Sequence, residues 1–287
     1  MSYDKLLFAL AYIILGPLAG GLLAGIDRKI TARLQGRIGP PILQPFYDLR
    51  KLFTRGLDPV NRVQIPFVAS HLVFAVTTGV LIFMGGDLLL IIFVLTLAGI
   101  FLVLAAYSTG SPYGKIGADR ELVLMMAYEP MVILALVGLF RVTKSFDFWG
   151  IAASGKPLAL LLPGIYIGVF LVIIMKLRKS PYDISTSHHA HQELVKGLTA
   201  DLGGPALGLV ELAHWYESVY LYGLVLLFWT WNPVAAIVGP TVTYFLVILV
   251  DNATARLKWG MTLASAWIVA LAVGVGNLIP FYLGRPW

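Results

Sequence analysis

Long apolar runs divide the chain, and none of them alternates between apolar and polar positions. Each run is close to the roughly 20 residues that an α-helix needs to cross a bilayer. Backbone groups inside a bilayer must be satisfied within the segment, so these runs predict helices, whereas a β-barrel would alternate with a period of two. We therefore predict an all-α, polytopic membrane protein with about eight transmembrane helices. The predicted spans are Leu6–Ile26, Ile65–Met84, Leu88–Tyr107, Glu121–Phe140, Leu158–Met175, Ala206–Trp231, Pro233–Val250 and Trp259–Leu283.

The polar segments between these spans differ in length. Gly85-Gly86-Asp87 and Asn232-Pro233 are short turn signals. Two segments are much longer, from Asp27 to Gln64 and from Arg178 to Pro205, and long loops in compact proteins are often functional. Within the first, apolar and charged residues interleave between Ile42 and Phe53, which predicts a short amphipathic helix at the membrane interface. That helix is either a simple membrane-surface helix or part of a functional loop.

Composition agrees with the membrane prediction. Apolar residues make up 59% of the chain and charged residues 13%, against about half and a quarter in soluble domains. The first run is too long for a cleaved signal peptide and lacks its cleavage site, so we expect a retained anchor. Without a long linker or internal repeat, residues 1–287 are expected to form a single integral membrane domain. The chain has no cysteine, which excludes thiolate-bound zinc and iron–sulfur clusters held by this chain.

Positive charge is concentrated in alternate loops. Of the 21 Lys and Arg residues, all but Lys5, Arg141, Lys144, Lys156 and Arg285 flank the loops after spans one, three, five and seven. The positive-inside rule places these loops in the cytoplasm and both termini outside the cell membrane. The net charge of +6 follows from this face. Lipid and protein partners account for it, so nucleic acid is not an expected partner.

The basic start of the first long loop is a candidate docking surface. Its positive charges are explained by topology alone, but the tight turn from Gly36 to Pro41 also fixes the shape of the backbone. A shaped basic loop suits a protein partner or an acidic group. The candidate docking residues here are Arg28, Lys29, Arg33, Gln35, Arg37, Gly39 and Pro40.

Acidic residues near or inside the spans form a second group. Ionisable groups at membrane depth are costly and commonly mark an ion or proton path. His214 lies one helical turn from Glu211 and from Glu217, so it can touch either carboxyl group. The alternative is that these acids are structural contacts between helices or lie at headgroup level. The candidates are Glu121 and Glu129 on the fourth span, Glu211 and Glu217 on the sixth, and Asp251 at the end of the seventh.

The second long loop is rich in histidine. Adjacent His188 and His189 diverge on a helix or a strand, and Cys is absent, so a metal site is not expected. Histidines titrate near neutral pH, and a titratable loop could connect a partner to the buried acids. A merely solvated loop is the alternative. The residues concerned are Pro181, Asp183, His188, His189, His191 and Glu193.

Several of these motifs, in this order, resemble the membrane subunit that forms the quinone chamber of respiratory complex I, and its relatives in energy-converting hydrogenases. The resemblance covers nearly the whole chain. No Walker A loop, Rossmann glycine fingerprint, nucleophile elbow or HExxH motif accompanies it. The matching segments are Asp27–Pro41, Gln44-Pro45 with Asp48 and Lys51, Tyr128-Glu129-Pro130, Pro181-Tyr182-Asp183, Glu193-Leu194-Val195, Asp201 with Gly203, and Asp251 to Trp259.

Two departures from the family pattern are informative, and the first favours the hydrogenase branch. The stretch between Asp183 and Glu193 is longer than in quinone-reducing members and carries three histidines, as in group 4 [NiFe] hydrogenases, including formate hydrogenlyases. The family's Leu-Ala-Glu-Tyr is Leu212-Ala213-His214-Trp215 here, which makes Glu211, one turn earlier, the candidate replacement acid.

The resemblance implies a non-catalytic subunit of an oxidoreductase complex. It would dock large and small hydrogenase subunits and an iron–sulfur protein on its cytoplasmic loops, and contact antiporter-like membrane subunits. The [NiFe] centre and iron–sulfur clusters would lie in those partners, with no cofactor in this chain. Ferredoxin- or formate-driven proton reduction would be coupled to proton or sodium translocation. The alternatives are a quinone-chamber subunit and a free-standing ion transporter. The implied coupling residues are Glu129, Glu211, His214, Glu217, Glu121, Asp201, Glu193 and Asp251.

Overall fold

The computed structural model describes residues 3–56, 61–186 and 196–283, and this part of the chain is almost entirely helical, without strands. Two 3₁₀ turns, Gly197–Thr199 and Leu227–Trp229, and a π-helical stretch, Val269–Val275, join or interrupt the α-helices. The α-helices are α1 Tyr3–Leu34, α2 Gln44–Phe53, α3 Gln64–Met84, α4 Leu88–Tyr107, α5 Pro112–Thr143, α6 Phe148–Ala152, α7 Leu158–Leu161, α8 Pro163–Lys176, α9 Gly204–Leu226, α10 Pro233–Ala253, α11 Trp259–Ile268 and α12 Gly276–Tyr282.

Six helical segments in the described ranges are long and apolar enough to cross a membrane: α1, α3, α4, α5, α10 and the run from Trp259 to Tyr282. The polytopic all-α prediction is therefore confirmed. The other two predicted spans correspond to α7 with α8, and to α9, which carries Glu211 and Glu217. The count of eight crossings stays a prediction.

Both predicted short turns are present, and local chemistry explains them. Gly85 ends α3 with φ of 78°, a left-handed conformation that glycine adopts without a steric penalty. The Asp87 side chain then accepts a hydrogen bond from the backbone N–H of Leu89 and caps α4. Asn232 caps α10 in the same way through the N–H of Val234. The turn chemistry read from the sequence therefore fixes these boundaries.

The first long loop begins later than predicted. We expected it to start at Asp27, but α1 continues to Leu34, so Arg28, Lys29 and Arg33 are helical. The reason is local, because Lys and Arg favour helix and no glycine or proline follows Asp27 until Gly36 and Gly39, whose φ angles are 71° and 75°. Likewise, α5 begins at Pro112, well before the apolar span that starts at Glu121.

The predicted amphipathic helix is present as α2, and it packs tightly against α1 and α9. A Cβ atom on Gly25 of α1 would lie 1.9 Å from the carbonyl oxygen of Ile42, and one on Gly21 would lie 2.5 Å from the Phe46 ring. Only glycine allows this approach. On the other side, the ring of Phe46 makes an edge contact with Trp215 of α9, with centroids 5.1 Å apart. The position of α2 is therefore set by backbone contact.

Candidate functional site

The centre of the candidate site is a buried ion pair between α8 and α9. The Lys176 ammonium, on the last residue of α8, lies 2.7 Å from a carboxylate oxygen of Glu217, and 6% of each side chain is exposed. The Tyr220 hydroxyl donates to the same carboxylate at 3.3 Å, and the ammonium lies 5.4 Å from the centroid of the Tyr128 ring. Because an unpaired buried charge is strongly unfavourable, each of the two groups depends on the other.

A second buried pair lies beside the first. The Arg178 guanidinium donates to both carboxylate oxygens of Glu121, with Nη2 at 2.8 Å from Oε1 and Nε at 3.2 Å from Oε2. This is the two-point contact that a planar guanidinium makes best. Arg178 has φ of 51°, and this left-handed turn follows directly on the end of α8. Two cations from one short stretch thus neutralise acids of two helices, α5 and α9.

Lys179 forms a third ionic contact at the same end of α8. Its ammonium lies 2.6 Å from an Asp27 oxygen of α1 and 3.0 Å from an Asp251 oxygen of α10. The backbone N–H of Ser180 also donates to Asp251 at 2.8 Å. Burial lowers the pKa of Lys179, but the two carboxylates outweigh burial, so its pKa is raised. We call Lys179, Asp27 and Asp251 the lysine clasp, because they join the segment after α8 to α1 and α10.

The segment after Lys179 is packed inward. Tyr182, Asp183 and Ile184 are buried, and the Arg256 guanidinium lies 3.9 Å from an Asp183 oxygen and donates to the Ile184 carbonyl at 2.9 Å. The N–H of Leu257 donates to the carbonyl of Pro181. Of the predicted docking pair Pro181 and Asp183, the acid therefore holds the segment to the start of α11, and its docking role stays a prediction.

The predicted coupling residues do not form one cluster. His214 contacts Glu217, with Nδ1 3.6 Å from Oε2, while Glu129 accepts from Thr96 at 3.4 Å and belongs to neither buried pair. Glu211 faces a cavity beside α2. Asp201 accepts from Thr109 at 3.4 Å. Four predicted residues lie outside the described part of the chain: His188, His189, His191 and Glu193.

The predicted basic surface is exposed and tied to its neighbours. Arg28 lies 2.7 Å from an oxygen of Asp48 on α2, and Gln35 donates to Asn252 of α10 at 3.0 Å. Arg37 donates to Gln35. Burial raises the pKa of the Asp48 carboxyl, but hydrogen bonds from Arg28 and Gln44 outweigh it and hold the pKa below its usual value. Arg33 is exposed, Lys29 is half-buried, and Gly39 and Pro40 complete the turn.

Sequence reasoning missed the cations of the site. From the sequence, Lys176, Arg178 and Lys179 were used only to orient the chain in the membrane. Three cations within four residues at the end of a span were nevertheless visible in the sequence. The acids that they meet lie on other helices, and only packing reveals the pairing. Within the described residues, no group of three or more His, Asp or Glu side chains is placed to hold a metal ion.

Comparison with known proteins finds a family model and several relatives that match this chain. The family model described as NADH dehydrogenase matches residues 6–282. Hydrogenase-4 component C of Escherichia coli (strain K12) is 31% identical over 235 residues, covering 76% of this chain and 73% of the relative. Formate hydrogenlyase subunit 4 of the same organism is 28% identical over 281 residues, covering 86% and 89%.

Among solved structures, one chain of the membrane-bound sulfane sulfur reductase, described as an archaeal respiratory membrane complex, superposes with a TM-score of 0.87. The match covers 96% of this chain and 99% of that chain at 23% identity. At this identity the likeness establishes the fold alone. The two Escherichia coli relatives are a component and a subunit of larger assemblies by name.

Proposed function

Because this chain belongs to the NADH dehydrogenase family, we propose that it is the membrane anchor and coupling subunit of a multi-subunit energy-converting hydrogenase. It is homologous to membrane subunits of hydrogenase-4 and formate hydrogenlyase. In this proposal, residues 1–287 form a single integral membrane domain. The long basic loops face the cytoplasm, and both termini lie outside.

The proposed partners follow from the same relatives. Large and small hydrogenase subunits and an iron–sulfur protein would dock on the cytoplasmic loops, and antiporter-like subunits would pack beside the chain in the membrane. The [NiFe] centre and the iron–sulfur clusters would be held by those partners. Ferredoxin or formate would supply electrons for proton reduction, and either protons or sodium ions would be moved.

One observation carries the coupling proposal. The buried acids Glu121 and Glu217 are both neutralised from the stretch that leaves α8 and enters the second long loop. A displacement of that loop by a docked redox partner would pull Arg178 or Lys176 away from its acid. A carboxylate that loses its cation in a low-dielectric interior takes up a proton, so loop movement converts into proton uptake.

The remaining predicted coupling residues extend this route. In this proposal, His214, whose Nδ1 lies 3.6 Å from Glu217 Oε2, would pass a proton to or from that carboxylate. Glu211 would accept or release protons on the side of α2, and Glu129 would do so on the side of α4. Asp201 and Asp251 lie at helix ends near the loops, where they would respond to docking.

A quinone-chamber subunit is the second candidate, because a cavity exists between α1, α2 and α9. Its position agrees with a chamber beside the interfacial helix. However, six of the eleven lining residues are charged, which suits an ionic group better than a neutral ring. A free-standing ion transporter is the third candidate, from a different class.

Purification separates the three candidates. The chain, tagged and extracted in mild detergent, is expected to bring down subunits whose metal analysis gives nickel and iron, and the preparation should evolve hydrogen with a reduced artificial donor. A quinone-reducing assembly without nickel would support the second candidate. Recovery of the chain alone would support a transporter and overturn the proposal.

A further inference from the structure

A cavity of about 230 Å³ lies between the end of α1, the amphipathic helix α2 and the first half of α9. We propose that this cavity binds the anionic phosphate headgroup of a membrane phospholipid. The proposal concerns a site outside the two buried ion pairs and goes beyond the coupling function. The lining residues are Arg28, Pro45, Asp48, Leu49, Lys51, Leu52, Arg55, Lys196, Leu207, Glu211 and Trp215.

The charges of the cavity favour an anion. Among the described residues that line it, four are basic and two are acidic. Asp48 is already paired, since it accepts from Arg28 at 2.7 Å and from Gln44 at 2.9 Å. The cations of Lys51, Arg55 and Lys196 therefore face the single remaining acid, Glu211. This leaves a surplus of two positive charges, which a phosphate group of one negative charge reduces to one.

The size of the cavity limits the ligand. Clefts that enclose whole small molecules usually measure roughly 300–1,000 Å³. A cavity of about 230 Å³ is smaller than this range, so it suits a compact polar headgroup whose remaining part lies outside. Its apolar floor is formed by Leu49, Leu52, Leu207 and Trp215, on which a glycerol backbone could rest.

The surroundings identify the bilayer as the source of the phosphate. The large apolar side chains of Leu43, Tyr47 and Phe53, in and beside α2, are exposed on the surface of the protein, as are Leu18 and Leu22 on α1. Exposed apolar surface beside a basic amphipathic helix is the arrangement that contacts lipid. The acyl chains of a phospholipid would contact these exposed apolar side chains, whereas a free phosphate ion would not contact them.

The cavity is also built from rigid parts. The close contacts of Gly21 and Gly25 hold α2 on α1, and Gly208 of α9 would meet the Phe53 ring at 3.2 Å if it carried a Cβ atom. Trp215, which lines the cavity, is held by its edge contact with the Phe46 ring. Because these contacts are made by backbone and rings, the cations of α2 are held at a fixed distance from α9.

Native mass spectrometry and phospholipid extraction of the purified complex test the proposal. The double variant Lys51→Gln/Arg55→Gln is expected to retain roughly thirtyfold less anionic phospholipid, since each cation near an anionic surface contributes about fivefold to binding. The matched control Arg62→Gln/Lys258→Gln removes two exposed cations that do not line the cavity, and it should retain lipid like the parent. The exchange Lys51→Arg/Arg55→Lys should also retain it.

A second arm identifies the ligand. The delipidated complex is mixed with phosphatidylglycerol, phosphatidylcholine or inorganic phosphate, and preferential rebinding of phosphatidylglycerol supports the proposal. Equal binding of phosphatidylcholine, binding of inorganic phosphate alone, or a quinone recovered in place of lipid overturns it. If the charge variant does not assemble, Leu207→Trp fills the cavity without changing its charge, and unaltered lipid retention would then overturn the proposal. Lipid retention is measured without hydrogen evolution, so its failure is distinguishable from failure of the coupling function.

Discussion

The Lys176 ammonium lies 2.7 Å from a carboxylate oxygen of Glu217, and 6% of each side chain is exposed. Lys176 ends α8, whereas Glu217 lies in the middle of α9. The ion pair thus connects the end of α8, next to the second long loop, to the middle of α9. Each charge is tolerated at that depth only because the other is there.

Replacing one member of this ion pair should destabilise the complex more than replacing both members. Glu217→Gln alone leaves Lys176 uncompensated and is expected to destabilise the purified complex by about 3–5 kcal/mol, as buried pairs do when one partner is lost. The double variant Lys176→Met/Glu217→Gln should recover most of that stability. Thermal unfolding of the parent, both single variants and the double variant gives the coupling energy. Strictly additive effects would show that the two groups do not interact in the assembled complex.

Glu129→Gln should lower ion translocation while leaving hydrogen evolution from artificial donors intact. Glu129 sits on α5 at half-buried depth, and its only described side-chain partner is Thr96, so the amide should fold like the acid. Translocation is measured in inverted vesicles with a pH-sensitive or sodium-sensitive dye. Asp147→Asn, at the start of α6, is the matched control for loss of one negative charge. Unchanged translocation in Glu129→Gln would remove this residue from the ion path.

The lysine clasp should stabilise the folded chain at neutral pH, and this stability should be lost at high pH. The pKa of Lys179 is raised in the folded chain, so its contribution is complete below the ordinary lysine pKa of 10.5 and disappears as pH rises through the folded value. Lys179→Met is expected to cost about 2 kcal/mol at pH 8, which is typical for hydrogen bonds to charged groups. The difference in Tm between parent and variant should stay constant to about pH 10 and then shrink. A difference that is already absent at pH 8 contradicts the clasp.

Gly25→Ala should loosen α2, because the new methyl group would meet the carbonyl oxygen of Ile42 at 1.9 Å. Overpacking of this kind typically costs about 1–3 kcal/mol. Hydrogen exchange of the α2 backbone is expected to accelerate, with little change in α3 and α4. Gly276→Ala has no atom within 4 Å of the added carbon and serves as the control. Equal exchange in both variants would mean that α2 is not held by this contact.

Replacing His188, His189 and His191 together by Ala should disturb coupling or assembly, because these residues lie in the loop that we assign to docking. Hydrogen evolution coupled to ion translocation is measured, together with subunit content. Metal analysis of the parent and the variant is the accompanying control. A stoichiometric ion that is lost only in the variant would contradict the expectation that this loop binds no metal.

The fold was largely predictable because it follows from segment-level physics. Apolar runs, the left-handed Gly85 and the capping residues Asp87 and Asn232 act on their own segments, so the helices and turns that they form can be predicted from the sequence. The amphipathic helix was likewise visible in its own residues. The extension of α1 to Leu34 was missed because the apolar run ends near Asp27, whereas the helix continues through polar residues until the left-handed Gly36.

The candidate site was only half predictable. Glu121 and Glu217 were among the acids predicted near or inside the spans, because ionisable groups at membrane depth are costly. Lys176 and Arg178 were not predicted as site residues, because cations at the end of a span are satisfied by the positive-inside rule. Which acid each cation meets depends on the packing of α5, α8 and α9, and residue spacing carries no information about contacts between helices.

The two buried pairs contain two cations and two acids, and their formal charges cancel. Moving one elementary charge through a membrane potential involves about 2.3 kcal/mol per 100 mV, but a neutral cluster experiences no net force from that field. Within this cluster, membrane voltage therefore acts on net charge only in the intermediate in which one acid is protonated or one cation has withdrawn. Any voltage dependence that arises at these two pairs would accordingly belong to the step in which their electroneutrality is broken.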